Sequence, residues 1–251
     1  MGINYAAGRF LNHCVSRLLT FRSLPLFRTF ALGWRYEYDM ARFAGTRDLS
    51  MFFDVGANVG QTSRELLHFY PRATIHAFEP IHATYEQLLR NLVDSKNVQA
   101  HHLALGERPG AVEVELQNDP FLNSLKFHSV PGPTGSGQRE RLTVSTVDEF
   151  AAAHQITQID LLKVDAQGSD LDVLRGASRM LRGRRIRYVL CEVSFEVNDP
   201  INQPFTPVHE YLCSHDLSLC GLYGPVRNGP RGAFVGFRDA LYANPELLGQ
   251  A

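Results

Sequence analysis

Residues 51–60 read MFFDVGANVG, an apolar run that an aspartate and two glycines interrupt before a helical pattern begins. The order strand, tight turn, helix is the first half of a βαβ nucleotide-binding unit. Gly56 lets the chain turn with positive φ and lets a ligand approach bare backbone, and Gly60 permits a close helix–strand approach. This stretch predicts an α/β fold whose ligand lies at the end of the first strand.

A carboxylate follows the second strand-like run, residues 74–78. Glu79 is placed where an acid can accept hydrogen bonds from both hydroxyls of an adenosine ribose. The glycines are spaced Gly56-x-x-x-Gly60, with Asn58 where a dinucleotide site usually has its middle glycine. Asp54, interpreted as lying in the turn, suits a cationic amino-acid tail better than a phosphate. An acid at each end of the ligand, Asp54 and Glu79, therefore favours S-adenosyl-L-methionine over NAD.

Composition narrows the class of protein. The chain has 251 residues, 44% hydrophobic and 20% charged, enough to bury the core of one α/β domain. A net charge of −1 gives no general attraction to nucleic acid or to an anionic membrane, and residues 51–251 contain no basic stripe interleaved with aromatics, so no nucleic-acid partner is predicted. Four cysteines without a C-x-x-C pair favour reduced thiols in a cytoplasmic protein. No apolar run is long enough to span a membrane.

The first part of the chain differs from the rest. Residues 1–48 are predicted to be a helical N-terminal segment, and residues 49–251 the ligand-binding domain. Apolar residues recur at helical spacing near the start, with arginines on the other side. The stripe could pack on the domain, or residues 1–30 could form a basic amphipathic helix that gives peripheral membrane contact. Both alternatives stay open, and the sequence predicts no oligomeric state.

From residue 51 onward strands and helices alternate. The pattern predicts a mostly parallel seven-stranded sheet with an antiparallel last strand, because no helix separates the strands at 218–223 and 239–243. A single third strand is predicted over 98–105. Residues 112–116 and 142–147 are predicted to form a hairpin insertion whose loop, 117–141, covers the ligand mouth as a lid or is a plain surface loop.

A second informative stretch, residues 159–174, reads IDLLKVDAQGSDLDVL. Lys163 lies in a buried strand and should point into the site or pair with a carboxylate, unless only its stem is buried. Ser169 is predicted to cap a helix continuing to residue 181, with Asp172 as the weak partner of a capping box. Glu192 is the lone acid of the next strand and is predicted to face the cleft.

The catalytic candidates follow from these strand ends. Asp165 ranks first as general base, with Glu192 and His209 behind it and Lys163 as an orienting partner. His209 is the weakest, because lone histidines are more often packed than catalytic. Asp165 and Asp170 could hold magnesium, but acids near a helix start more often cap it, so no metal is predicted. The neighbours His101 and His102 alternate faces and form no metal pair.

These motifs together resemble the FkbM family of S-adenosylmethionine-dependent methyltransferases. The matching pieces occur in order over about residues 50–195, namely FDVGANVGQ (53–61), FEP (78–80), ALG (104–106), VSTVD (144–148) and IDLLKVD (159–165). The resemblance implies a class I methyltransferase (Rossmann-like) fold and O-methylation of a hydroxyl on a sugar, glycolipid, polysaccharide or natural-product acceptor. The implied cofactor-binding residues are Asp54, Gly56, Ala57, Asn58, Gly60, Gln61, Glu79, Pro80, Ala104, Leu105 and Asp165.

One departure from the family pattern keeps a rival open. The family usually has Asp-x-Glu-Gly after the lysine strand, whereas this chain has Gln167, which cannot act as a base. A non-catalytic S-adenosylmethionine-binding module is therefore one alternative. An NAD-dependent short-chain-type oxidoreductase is the other, although no tyrosine precedes a lysine by four residues. The G-x-x-x-x-G-K-[ST] and G-x-S-x-G motifs are also absent.

Overall fold

The computed structural model describes residues 32–118, 123–125, 135–196, 199, 201–224 and 226–248. The chain divides into two compact units, residues 1–34 and 35–251. The proposed amphipathic helix within residues 1–30 lies outside the described residues, as does most of the loop predicted to be a lid. In the described part of the chain no helix is both long and apolar enough to cross a bilayer.

A seven-stranded sheet forms the centre of the larger unit. Its strand order is β3-β2-β1-β7-β8-β12-β9, with parallel pairing from β3 to β8 and with β12 antiparallel to both of its neighbours. The predicted sheet with an antiparallel last strand is confirmed. Its strands are β1 Met51–Val55, β2 Thr74–Phe78, β3 Val98–His101, β7 Ile159–Val164, β8 Ile186–Ser194, β9 Ser218–Tyr223 and β12 Phe237–Ala243.

Helices cover both faces of this sheet. Alternating side chains explain this, since Phe52 points to one face and Phe53 to the other, and both are fully buried. Phe52 packs in a cluster with α1 and α2, and Phe53 in a cluster with α4 to α7. The helices are α1 Tyr36–Phe43, α2 Gln61–Phe69, α3 His82–Asn91, α4 Val147–Ala153, α5 Asp170–Arg175, α6 Ser178–Arg182 and α7 Phe205–Cys213.

The predicted hairpin insertion is confirmed and is longer than expected. Strand β5, Gly110–Gln117, pairs antiparallel with β6, Gly135–Ser145. The single third strand predicted over 98–105 is wrong. Its second half is a separate strand β4, Ala104–Leu105, which pairs with β6 in a small three-stranded sheet. Backbone pairing, which the side-chain pattern does not report, decides which sheet each half joins. Two short strands, β10 Arg227–Asn228 and β11 Phe234–Val235, form a further hairpin.

The helix expected from Ser169 to residue 181 is broken in two between α5 and α6. Gly176 lies at the break, and a Cβ there would be 2.0 Å from the carbonyl oxygen of Gly106, so the chain passes too close for a side chain. The predicted Ser169 cap is also wrong, since its side chain caps no helix amide. Asp170 instead accepts hydrogen bonds from the amides of Ala166 and Gly168, at 3.2 and 3.1 Å.

Candidate active site

The carboxyl ends of β1, β2 and β7 meet where the strand order reverses, and the turn after β1 lies between them. The amides of Gly56 and Ala57 both donate to the carbonyl of Phe78, at 3.0 and 2.9 Å, which ties the turn to the end of β2. Gly56 has φ +73° and lies against Asp165, since a Cβ there would be 1.9 Å from the Asp165 carbonyl oxygen. The turn is therefore wedged between two strand ends.

The amides of this turn are all used inside the protein. Beyond the two that bind Phe78, the amide of Asn58 donates to the Glu79 carboxylate, that of Val59 to the Asn58 side chain and that of Gly60 to Ala57. A dinucleotide pyrophosphate needs free amides at such a turn. Residues 56–60 offer it none, so the turn fits an adenosyl ligand that has no phosphate.

Glu79 lies at the end of β2 and is 6% exposed. Its carboxylate accepts hydrogen bonds from the amides of Asn58 and Ile81, at 3.1 and 2.9 Å, which fix it beside the turn. Burial nevertheless raises the pKa of Glu79 to about 7, against the lowering effect of these two amides. Two carboxylate oxygens have about four acceptor sites, so the group can still accept from ribose hydroxyls.

Asp54 is not in the turn, as the sequence interpretation has it, but within β1. It is fully buried, and its carboxylate accepts a hydrogen bond from the Ser63 hydroxyl at 2.7 Å. Lys163 lies directly across in β7, with Nζ 3.3 Å from Asp54 Oδ1. In this structure the chain itself neutralises Asp54, so a cationic ligand tail would compete with Lys163 for it.

Lys163 pairs with carboxylates, as one of the two sequence alternatives predicts. Its Nζ is 3.4 Å from Asp165 Oδ2 and 3.5 Å from the carbonyl oxygen of Gly56. Burial lowers its pKa, but the charges of Asp54 and Asp165 outweigh that effect and raise the pKa above its usual value. Lys163 therefore stays charged under the cofactor turn and joins β1 to β7.

Asp165, ranked first as base, has both oxygens engaged. One faces Lys163, and the other accepts a hydrogen bond from Gln167 Nε2 at 2.8 Å. Both oxygens of Asp165 are therefore already occupied by contacts within the protein. The geometry suits Asp165 to hold Lys163 and Gln167 in place.

Glu192 lies in β8 directly opposite Asp239 of β12. No hydrogen bond or ion pair reaches either carboxylate from the described residues, although both groups are half-buried. Burial, followed by the charges of Asp165 and Asp239, raises the pKa of Glu192 to about 8. Burial, followed by Asp165, raises the pKa of Asp239 to about 6. Both groups are therefore available to a ligand and close to the pH at which they change charge.

The structure does not bring His209 together with these groups. His209 lies on α7, stacks on Phe205 with ring centroids 5.1 Å apart, and has Nδ1 3.3 Å from the Tyr242 hydroxyl. Tyr242 packs in the cluster on the opposite face of the sheet from the one to which Lys163 and Glu192 point. A packing role explains each of these contacts.

The remaining predicted positions lie on three different elements. Gln61 is the first residue of α2, and Pro80 follows Glu79 before α3. Ala104 and Leu105 are buried in β4, with exposures of 3% and 2%, where they pair with β6.

Sequence reasoning missed three residues here. Ser63 fixes Asp54, Asp239 faces Glu192, and Tyr36 of α1 packs edge-on against Tyr223, with ring centroids 6.1 Å apart. Asp239 carried one signal, an acid at the start of an otherwise apolar strand. Ser63 gave none, because a serine within a helical pattern does not show which side chain it contacts, and Tyr36 gave none, because Tyr223 lies far along the chain.

Comparison with known proteins adds independent information. The model of the "Methyltransferase FkbM domain" matches residues 54–218. The chain is 30% identical over 156 residues to Methyltransferase 1 of Beauveria bassiana, covering 55% of this chain and 61% of that relative. It is 22% identical to the 2-O-methyltransferase NoeI of Sinorhizobium fredii, covering 78% and 80% of the two chains. The chain thus spans less than two thirds of the Beauveria relative.

A solved structure supports the fold. The METTL16 methyltransferase domain superposes with a TM-score of 0.51 at 11% identity, over 83% of this chain and 66% of that one. At this identity the likeness concerns the arrangement of strands and helices alone. The doubly wound sheet described above is a class I methyltransferase fold.

Proposed function

The chain belongs to the FkbM family of methyltransferases, whose methyl donor is S-adenosylmethionine, and from this premise we propose that it methylates a hydroxyl oxygen. The acceptor we propose is a small molecule or a glycan, including the sugar of a glycolipid. Support for an oxygen acceptor comes from Glu192 on β8, the strand next to the one that carries Lys163, since its half-buried carboxyl group has no hydrogen bond or ion pair from the described residues. Membrane contact through residues 1–30 and a cytoplasmic location stay predictions.

The residues present fit this cofactor. The backbone amides of residues 56–60 all donate hydrogen bonds within the protein, which suits a ligand without phosphate. Glu79 is placed to accept hydrogen bonds from ribose hydroxyls. Because Asp54 is engaged by Lys163 and Ser63, its proposed role is to hold the turn rather than to bind the amino-acid tail directly. When bound, S-adenosylmethionine supplies an electrophilic methyl group on a sulfonium.

The chain's own task is then to align the acceptor and remove its proton. We assign proton removal to the ionised form of Glu192, because the group has no hydrogen-bonding partner among the described residues and because a pKa raised to about 8 makes its carboxylate a stronger base than an ordinary one. A positioned base of this kind contributes about 10²–10⁴-fold to turnover. Asp165 and Lys163 keep the neighbouring strand ends in register. Gln167 is not needed as a base in this arrangement, since it donates to Asp165.

The experiment that tests the function uses methyl-labelled S-adenosylmethionine with fractionated cell extract. We expect label in a fraction containing hydroxylated small molecules or glycans, and labelling about 10²–10⁴-fold slower with a Glu192→Gln protein. Cofactor binding measured by calorimetry runs alongside. Intact binding without label in lipid, polysaccharide or small-molecule fractions would instead establish the non-catalytic binding module.

Glu79 gives a pH prediction for cofactor binding. Its pKa of about 7 in the free protein means that the ribose-accepting carboxylate is mostly protonated at pH 6 and mostly ionised at pH 8. If the ionised form alone binds well, affinity should rise about tenfold over that interval. Titration calorimetry at both pH values measures it, and the Glu79→Gln protein should bind weakly with a shallower dependence.

Two controls sharpen that measurement. The remaining slope in Glu79→Gln reports the ligand's own amine together with other groups that titrate in this range, such as Glu192 and Asp239, and the difference between the two proteins belongs to Glu79. Glu86→Gln removes an exposed carboxylate on α3 and should reproduce the parent protein. Equal slopes in the parent and Glu79→Gln proteins would remove Glu79 from the ribose site.

A further inference from the structure

Asp239 stands outside the residues that the family model matches, yet it faces the proposed reaction site. Residues directly opposite in an antiparallel pair point to the same face, with Cβ atoms about 4.5–5.5 Å apart. Asp239 and Glu192 are such a pair. We propose that these two carboxyl groups share one proton at neutral pH and act together as the group that removes the acceptor's hydroxyl proton.

Charge balance around the pair supports the sharing. The charged groups that act on it are Lys163 from β7, Asp165 directly after β7, Asp170 from α5 and Glu37 from α1. Lys163 is the cation among them, and it is already paired with both Asp54 and Asp165. Two further ionised carboxylates at this spacing would repel each other strongly in a half-buried site, so one of them keeps its proton.

The lack of partners supports the same conclusion. Buried polar groups normally find a hydrogen-bonding partner in the protein or in ordered water. Within the described chain neither Asp239 nor Glu192 receives a hydrogen bond, whereas Asp54, Glu79, Asp165 and Asp170 all do. A shared proton and an acceptor hydroxyl would satisfy both groups at once. The shift of both pKa values, to about 8 and about 6, agrees with this arrangement.

The inference rests on the proposed methyl transfer to a hydroxyl oxygen. The O–H bond of the acceptor breaks, and its proton passes to the ionised carboxyl of the pair. The acceptor oxygen forms a bond to the methyl carbon, the carbon–sulfur bond breaks, and its electron pair stays on sulfur in S-adenosylhomocysteine. The doubly protonated pair then returns one proton to water.

Titration of carboxyl carbons by NMR tests the pair without any acceptor. With the side-chain carboxyls of aspartate and glutamate ¹³C-labelled, Glu192 and Asp239 signals are assigned by their loss in the Glu192→Gln and Asp239→Asn proteins. We expect two separated steps in the parent protein. In Asp239→Asn, Glu192 should titrate in a single step at least about one pH unit lower. In Glu192→Gln, Asp239 should shift downward in the same way.

Glu246→Gln is the matched control. It removes one negative charge at an exposed site where Glu246 pairs with Arg184, and both steps should stay in place. Unchanged titration of Glu192 in Asp239→Asn, or shifts of equal size in Glu246→Gln, would overturn the shared proton. Coupled titration without any labelled methyl product would refute the proposed function alone, and labelled product without coupling would refute this inference alone.

Discussion

Replacing Gly56 with alanine should abolish cofactor binding and lower the free energy of unfolding by more than about 4 kcal/mol. Two causes add. Gly56 has φ +73°, which costs any side-chain-bearing residue about 1–2 kcal/mol. The new Cβ would also lie 1.9 Å from the carbonyl oxygen of Asp165, which is backbone at the end of a central strand and cannot swing aside. This clash can be relieved only if β1 and β7 separate, and that separation would disrupt the turn.

Two other glycines separate these causes. Gly45 has φ +65° and open space around it, so Gly45→Ala should cost about 1 kcal/mol from φ alone and leave cofactor binding intact. Gly60 has φ +89°, but its Cβ would meet the flexible side chains of Leu88 and Leu92 at 3.0 and 3.2 Å, so an intermediate loss is expected. Chemical denaturation and calorimetry measure both quantities. Equal losses in Gly56→Ala and Gly45→Ala would mean that the turn is not wedged against Asp165.

Replacing Glu192 with glutamine should lower turnover by about 10²–10⁴-fold while leaving cofactor affinity unchanged. Glutamine keeps the shape of the side chain and loses the ability to take up a proton. The affinity should hold because the turn, Glu79 and Lys163 lie on other strands and make no hydrogen bond or ion pair with Glu192. Single-turnover rates with a labelled acceptor fraction, compared with calorimetric cofactor affinity, measure the two effects separately.

Asp165→Asn is the informative comparison for that experiment. Its oxygens are engaged by Lys163 and Gln167, and asparagine keeps one acceptor, so the expected loss of turnover is smaller than in Glu192→Gln. The loss should come with weaker cofactor binding, because the partner of Lys163 is altered. A larger loss of turnover in Asp165→Asn at unchanged cofactor affinity would restore Asp165 as the base.

Local signals in the sequence were sufficient for much of this protein. The stretch at 51–60 and the repeated strand–helix alternation predict the sheet and its antiparallel last strand, and Glu79 lies against the turn as the spacing predicts. The physical reason is that each signal depends on neighbours within a few residues. Glycine tolerates positive φ, alternation buries alternate side chains, and parallel strands bring their carboxyl ends to the same edge.

Tertiary structure decided how the acids of the site are used. Asp54 forms an ion pair with Lys163 and a hydrogen bond with Ser63. Asp165 forms an ion pair with Lys163 and a hydrogen bond with Gln167, and Glu192 lies opposite Asp239. The break at Gly176 and the separate strand β4 were decided at the same level. The sequence shows which residues can ionise, but their partners in the fold determine which carboxylates are neutralised. Strand register brings Lys163 beside Asp54 and Glu192 opposite Asp239, and helix α2 brings Ser63 to Asp54, whereas the partners of Asp165 are near it in the chain.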